Sequence, residues 1–320
     1  MLFEFFDTYE RDLMTFIEQP LLIFDGACGT NLQLLNITEQ DWSGCEGCNE
    51  ILNLSAPEHI VEFHSSMLDA GAMVLETDTF GASRVVLAEY GLQDKVKEIN
   101  TRAVENARRS IADRPDKYIA GSVGPGTKLP SLGHISVAEL AATTREQIEA
   151  LLEAGVDCLI IETCQDLLQT KTALVAAFEV LETANYEVPV LASVTIEQQG
   201  TMLVGSDIAA VVATLEPFPL FSLGLNCATG PQDMMSHIKY LSENWPQRIS
   251  VIPNQGLPEV VNGETHYPLS PDDYAEQMCN FVVNQGVSIV GGCCGTSPTH
   301  IAALTKRLVG VQPKQREVSV

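Results

Sequence analysis

The sequence predicts a single (β/α)8 barrel with an extra N-terminal helix. Eight short apolar runs bounded by polar or turn-forming residues lie at 21–25, 72–77, 118–122, 157–162, 188–194, 222–226, 249–253 and 287–291. Each run is apolar nearly throughout, as expected of parallel strands covered on both faces. Helical patterns lie between them, for example at 57–70, 94–113, 137–154, 168–183 and 271–285. In the first of these, Ile60, Phe63, His64 and Met67 recur three and four residues apart. Eight such units within 320 residues favour one closed barrel over an open doubly wound sheet. A glycine-rich nucleotide fingerprint, which would support the open sheet, is missing.

The other elements follow from the same patterns. Residues 1–20 read as the extra helix, with Leu13, Phe16 and Ile17 on one face and Pro20 ending it. Residues 36–53 read as a long loop between the first strand and its helix. The polar tail 312–320 is expected to be loose. The whole span 1–320 is expected to be one domain.

Composition narrows the function. Hydrophobic residues make up 45% and charged residues 19%, which is enough apolar material for a large core. No apolar run approaches the ~20 residues of a membrane-spanning helix, and no basic stretch precedes an apolar one at the start. A cytoplasmic location without membrane association is therefore expected. The net charge of −24 repels phosphate backbones and argues against nucleic acid. Nine cysteines, at 28, 45, 48, 158, 164, 227, 279, 293 and 294, are an odd number in a chain too large to be a disulfide scaffold. Clustered cysteines then read as metal ligands or reactive thiols.

A barrel of this kind carries its chemistry at the C-terminal ends of its strands. Those ends read Asp25-Gly26-Ala27, Thr77-Asp78-Thr79, Gly121-Ser122-Val123, Glu162-Thr163, Thr195, Asn226-Cys227, Pro253-Asn254 and Gly291-Gly292-Cys293-Cys294. Cys227, Cys293 and Cys294 thus fall on two nearby ends. Three thiolates suit zinc, and three protein ligands with a fourth position open describe a catalytic site. Adjacent Cys293 and Cys294 cannot both point inward from a regular strand, so the chain must bend there, which Gly291, Gly292 and Gly295 allow. The alternative is three buried thiols packed as small hydrophobes. Cys45 and Cys48 form a C-x-x-C without a second pair at zinc-finger spacing and read as loop thiols.

The stretches Asp25-Gly26-Ala27-Cys28-Gly29-Thr30, Gly47-Cys48-Asn49-Glu50, Glu76-Thr77-Asp78-Thr79-Phe80-Gly81, Gly121-Ser122-Val123-Gly124-Pro125, Ile161-Glu162-Thr163, Gly224-Leu225-Asn226-Cys227 and Gly291-Gly292-Cys293-Cys294-Gly295-Thr296 resemble the homocysteine S-methyltransferase family. They look most like the homocysteine-binding module of its cobalamin-dependent methionine synthase branch. The resemblance runs from about Leu21 to about Leu308 in unbroken order. The paired Gly-Gly-Cys-Cys with the earlier Asn-Cys is its specific part.

That resemblance implies zinc on Cys227, Cys293 and Cys294, and L-homocysteine as the thiol substrate. It places Asp25 and Glu162 at the substrate's ammonium. The N–H groups of Gly26 and Ala27 are candidates for its carboxylate. Ser122, Asn226 and Asn254 are candidate orienting groups. Asp78 stands where the family usually shows Asn; a carboxylate near a negative centre should either raise its own pKa or pair with a cation. Methylcobalamin, held by another domain or a corrinoid-binding protein, is the expected methyl donor, because no Asp-x-His-x-x-Gly segment for cobalamin is present. Two alternatives stand beside this reading. One is a homocysteine methyltransferase using betaine or S-methylmethionine, which should need an aromatic cage around the cationic donor. The other is a zinc-binding subunit without turnover.

Overall fold

The computed structural model describes residues 14–112, 114–261 and 264–318. Its main sheet has eight strands: β1 (Leu22–Ile23), β2 (Val74–Glu76), β3 (Tyr118–Val123), β4 (Cys158–Cys164), β5 (Val190–Val194), β6 (Ser222–Asn226), β7 (Arg248–Ile252) and β8 (Ile289–Val290). All pairings are parallel and join sequence neighbours from β2 to β8, with β8 returning to β1. The ring is closed between β1 and β2 by the Phe24–Val74 bridge, with Asp25 N donating to Val74 O at 3.1 Å and Met73 N to Ile23 O at 2.7 Å. The predicted barrel is therefore the observed one.

Eight principal helices alternate with the strands. They are α1 (Pro57–Asp69), α2 (Val96–Ile111), α3 (Val137–Ala154), α4 (Leu167–Ala184), α5 (Ile208–Leu215), α6 (Pro231–Asn244), α7 (Pro271–Gln285) and α8 (Pro298–Leu308). The helix expected from 94 begins two residues later, after a 3-10 turn at Gln93–Lys95. Most of the expected loop 36–53 is turn, but its end folds into a 3-10 turn, Asn49–Ile51, that runs into a short helix, Leu52–Ser55. No helix among the described residues is long and apolar enough to cross a membrane.

Side-chain alternation sorts each strand between two cores. Leu75, Ile119, Leu159, Ile161, Val190, Leu223, Leu225 and Val251 pack outward against the helices. Leu22, Phe24, Val74, Tyr118, Ala120, Cys158, Ile160, Leu191, Ile252 and Ile289 fill the barrel. The same period carries the inward face of β2 from Val74 to Glu76, of β3 from Ala120 to Ser122, and of β4 from Ile160 to Glu162. The interior thus changes from apolar to polar at the C-terminal ends of the strands.

The opposite end is plugged from the N-terminal segment, which is helical over 14–18. Phe16 is fully buried, edge-on to Tyr118 with ring centroids 5.1 Å apart. Arg248 ties this segment down by donating to the carbonyls of Ile17 and Gln19. Ile17, expected on the same face as Phe16, is instead exposed. Leu13 and the rest of the expected helix, 1–13, lie outside the described residues. The tail expected to be loose is held as far as 316: Lys314 N donates to Val282 O at 3.0 Å, and the Arg316 guanidinium to Trp245 O at 2.6 Å. Arginine donors meeting backbone carbonyls explain the difference, since a polar composition does not reveal such partners. Between β7 and α7 lies a small antiparallel ribbon, Glu259–Val261 with Glu264–His266, that the strand reading did not include. The intervening Asn262-Gly263 was its available signal.

Candidate functional site

The C-terminal strand ends enclose a cavity of about 300 Å³. It is lined by Asp25, Gly26, Ala27, Ser122, Glu162, Asp78, Cys227, Cys293 and Cys294, among others. Nine of the eleven expected site residues therefore meet in one space, and Asn226 and Asn254 do not line it. Asn226 holds Glu162 from outside the lining, by a hydrogen bond of 3.2 Å.

The cysteines come together through two departures from strand geometry. Cys227 follows β6 with φ 61°, and Ala228 with φ 57°, so the chain turns as the strand ends. Cys227 N still bonds Ile252 O at 3.2 Å, and Thr229 N folds back to Cys227 O at 2.7 Å. After β8, Gly292 N bonds Asp25 O at 3.0 Å and Cys293 N bonds Pro253 O at 2.8 Å. Gly295 then takes φ 80°, a left-handed conformation that costs glycine least. This bend lets neighbouring Cys293 and Cys294 face the same point, as their adjacency required.

The three sulfur atoms lie within 4.8 Å of one another, and those of Cys227 and Cys294 are 3.9 Å apart. Tetrahedral zinc with bonds of ~2.3 Å spaces its sulfurs by about 3.8 Å, so the set fits the metal. No other group of three potential ligands at this spacing occurs among the described residues. All nine cysteines are free thiols. Hydrogen bonds from Cys227 and Cys293 hold Cys294 as a thiolate, its pKa pushed down to about 3. Asn254, on the next strand end, keeps a buried side-chain oxygen without a hydrogen-bond partner among the described residues.

Glu162 stands beside this trio. Ser122 donates to one of its oxygens at 2.6 Å; Asn226, at 3.2 Å, and Thr163, at 3.4 Å, donate to the other. Asn226 is itself fixed, because its Oδ1 accepts from Ser193 Oγ at 2.7 Å and from Thr163 N at 2.9 Å. Thr163 reaches that position at φ 57°, where the register of β4 shifts. Asp25 accepts from Glu76 N at 3.2 Å. Close passage of the chain at Gly26 is obligatory, since a Cβ there would stand 2.5 Å from Thr296 O. Among the described residues, the N–H groups of Gly26 and Ala27 donate to no backbone carbonyl.

The cavity is strongly acidic. Asp25, Glu50, Glu76, Asp78 and Glu162 line it, and no lysine or arginine among the described residues does. Burial raises the pKa of each. For Asp25 and Glu76 mutual repulsion with Glu162 adds to burial. For Glu162 the hydrogen bonds of Ser122 and Thr163 oppose burial. One Glu76 oxygen is buried with no partner among the described residues. Asp78 takes the first of the two courses foreseen for it. Its pKa is pushed up to about 8, by burial and then by Glu50, while Cys28 and Asn53 donate hydrogen bonds to it.

Glu50 and Glu76 were not singled out from the sequence as site residues, whereas Cys28, expected near the first strand end to line the pocket without ligating metal, does line it and stands outside the three-thiol set. Glu76 was legible by period two, being the next inward position after Val74. Glu50 lies in a quoted motif, but its approach depends on the fold of the first long loop. There Gly81 N donates to it at 2.6 Å. Cys48 is buried and contacts Glu50, whereas Cys45 is half-buried, and neither joins a ligand set.

The mouth of this parallel barrel thus brings three clustered thiols beside a carboxylate-lined cavity, the strand-end arrangement of a barrel enzyme. The homocysteine S-methyltransferase family description matches residues 22–308, and the chain belongs to that family. It is 41% identical over 316 residues to a methionine synthase of Mycobacterium tuberculosis (strain ATCC 25618 / H37Rv), covering 97% of this chain and 26% of the relative. It is 43% identical over 298 residues to a methionine synthase of Mycobacterium leprae (strain TN), covering 92% and 25%. The chain thus spans about a quarter of the length of these relatives. Among solved structures, the metallated form of the homocysteine methyltransferase MmuM from Escherichia coli superposes with a TM-score of 0.71 at 28% identity. That match covers 91% of this chain and 97% of the other. The oxidised form of the same enzyme gives 0.70 at 27% with the same coverage.

Proposed function

We propose that this chain methylates the thiol of L-homocysteine to give methionine, with zinc on Cys227, Cys293 and Cys294 and the methyl delivered by a corrinoid, methylcobalamin, held by another domain or protein. The observation that carries the reading is the joining of a three-thiol metal set to a buried carboxylate cup in one cavity. Zinc bound to the trio would keep the homocysteine sulfur deprotonated at neutral pH, where a free thiol with pKa near ~8.5 is mostly protonated.

The chain's own groups place the substrate. Asp25 and Glu162 accept from its ammonium, and that positive charge favours the ionised form of both against burial. The N–H groups of Gly26 and Ala27 donate to its carboxylate. Ser122 and Asn226 hold Glu162 in one orientation, so it meets the ammonium without rearranging. Asp78, with its pKa at about 8, is mostly an uncharged acid at neutral pH. It therefore offers the neutral hydrogen-bonding group that an Asn would. The sulfur lone pair forms the new bond to carbon as the donor–methyl bond breaks, and that bond's electron pair leaves with the donor. The product is a neutral thioether.

Two features support a large donor. The relatives named methionine synthase are about four times as long as the matched region. Phe80, Leu132 and Leu203, on loops following β2, β3 and β5, are 43%, 56% and 52% exposed, and offer apolar contacts on the strand-end side. A cytoplasmic location belongs to the same reading and is supported by nine free cysteines.

The test is methionine formation by the zinc-loaded chain with methylcobalamin, betaine, S-methylmethionine or methyltetrahydrofolate at matched concentrations. Zinc-dependent turnover with methylcobalamin and little with the others is expected. Turnover with betaine or S-methylmethionine, and none with methylcobalamin, would replace the corrinoid by a small cationic donor.

A further inference from the structure

We propose that Glu76 is a third acceptor for the ammonium of the amino-acid substrate, standing with Asp25 and Glu162 in the cavity so that the pocket reads all three N–H donors. The inference deepens the homocysteine reading above and rests on it.

An ammonium carries three N–H donors and no acceptor. Asp25 and Glu162 can each take one, and a third donor left unmet in a buried pocket would weaken binding. Glu76 is placed to meet it. It follows Val74 on the inward face of β2, and across the sheet it pairs with Ala120, which pairs in turn with Cys158. Ala120 and Cys158 belong to the apolar fill of the barrel. Glu76 therefore stands where that fill gives way to the cavity, which it lines. Both neighbours in its row are small, and Glu76 keeps partial exposure.

The partners around it point to a cation as what is missing. The Glu76 N–H donates to both Asp25 oxygens, at 3.3 and 3.2 Å, so the two residues are held side by side. Glu162 has its donors in Ser122, Asn226 and Thr163. Of the three carboxylates, only Glu76 has a buried oxygen without a hydrogen-bond partner among the described residues. The other two lining carboxylates are already engaged, Glu50 by Gly81 N and Asp78 by Cys28 and Asn53. Burying a carboxylate oxygen without a partner is costly, and no lysine or arginine among the described residues lines the cavity to offset it. Repulsion from Glu162 and Asp25 adds to burial in raising the Glu76 pKa. An ammonium among the three would relieve that repulsion. Ionised or protonated, Glu76 still offers it an acceptor oxygen.

The test compares L-homocysteine with its desamino analogue, 4-mercaptobutanoate, by calorimetry on the zinc-loaded whole chain, in wild type, Glu76→Gln and Glu76→Leu. The first variant removes the charge and the second the acceptor. Wild type should favour homocysteine, and that advantage should fall roughly ten-fold or more in Glu76→Leu and by less in Glu76→Gln. The affinity of the desamino analogue should not fall in either, and zinc content should match wild type. Without ligand, both variants should melt no lower than wild type, because each removes a carboxylate with an unpartnered buried oxygen. A homocysteine advantage unchanged in both variants would overturn the proposal. So would a ligand-free melting temperature several degrees lower in both, which would make Glu76 a structural group. A wild-type chain that binds neither thiol, or binds the two equally, would overturn it together with the homocysteine reading.

Discussion

Glu162 accepts hydrogen bonds from Ser122, Asn226 and Thr163 in a position only 6% exposed, one residue before a backbone turn at positive φ. Such a carboxylate is costly to bury unless something positive completes it. Glu162→Gln should therefore weaken homocysteine binding by about 1.5–3 kcal/mol, a loss of roughly ten- to hundred-fold, as should Asp25→Asn. Neither residue is a metal ligand, so zinc content should stay at the wild-type level. Calorimetry on the zinc-loaded chain gives the first quantity and metal analysis the second. Unchanged affinity in both variants would move the amino-acid pocket elsewhere. Asp78 makes a different prediction. Its pKa rises from an ordinary 3.8 to about 8 on folding, so its contribution favours the native state at low pH and is lost as pH rises through that window. Asp78→Asn should accordingly raise the melting temperature at pH 8 relative to wild type. At pH 4, where Asp78 is protonated in the folded chain, it should change stability little. A melting-temperature difference independent of pH would show that Asp78 is not protonated on folding.

Elements deliver these residues through their ends. Asp166 caps α4 by accepting from Leu168 N at 2.9 Å, and it also accepts from Ser131 N at 2.9 Å and Ser131 Oγ at 2.7 Å. One nearly buried side chain thus starts a helix and holds the loop after β3. Removing a cap costs about 1 kcal/mol, and each of the two hydrogen bonds lost to Ser131 costs ~0.5–1.5 kcal/mol more. Asp166→Ala should then destabilise the chain by about 2–4 kcal/mol in urea unfolding. Ser136→Ala, at an exposed cap of α3 that serves only Glu139 N, should cost about 1 kcal/mol. Equal losses for the two variants would mean that the Ser131 contacts contribute nothing.

For the whole molecule, the barrel brings the end of β6 within reach of the end of β8, although 66 residues separate Cys227 from Cys293. A metal on the trio would link these two ends and bind the folded chain alone, so it should stabilise by mass action. Wild type is expected to hold about one zinc and to melt higher with zinc than after chelation. Cys227→Ala, Cys293→Ala and Cys294→Ala should each abolish both the bound metal and the zinc-dependent rise. Metal analysis and calorimetric scans check this, and a Cys294→Ala chain with full zinc and full activity would remove the cysteines from the mechanism. The charge of −24 also bears on the donor. An acidic surface selects a partner with a basic face, and such docking should weaken with added salt.

Local pattern in the sequence carried much of this. Apolar runs of strand length alternating with helical periods determine a parallel barrel, because strands buried on both faces cannot alternate with polar residues. The same period determines that Glu162, Ser122 and Asn226 face inward, since an inward position recurs every second residue. The adjacent glycines determine where the last strand gives way to a bend. Other features belong to the tertiary structure alone. The burial that pushes Asp78 to about 8, with the charge of Glu50 adding to it and hydrogen bonds from Cys28 and Asn53 opposing it, is set by the folded loop after β1. The Arg316 contacts that hold the tail are to backbone carbonyls of other segments, which no side-chain pattern marks. The Tyr267 ring lies against the turn after Cys294 only because Gly295 has no side chain, and Gln255 joins the two segments. Periodicity records which way a residue points; whom it meets there is decided when closing the barrel brings distant strand ends together.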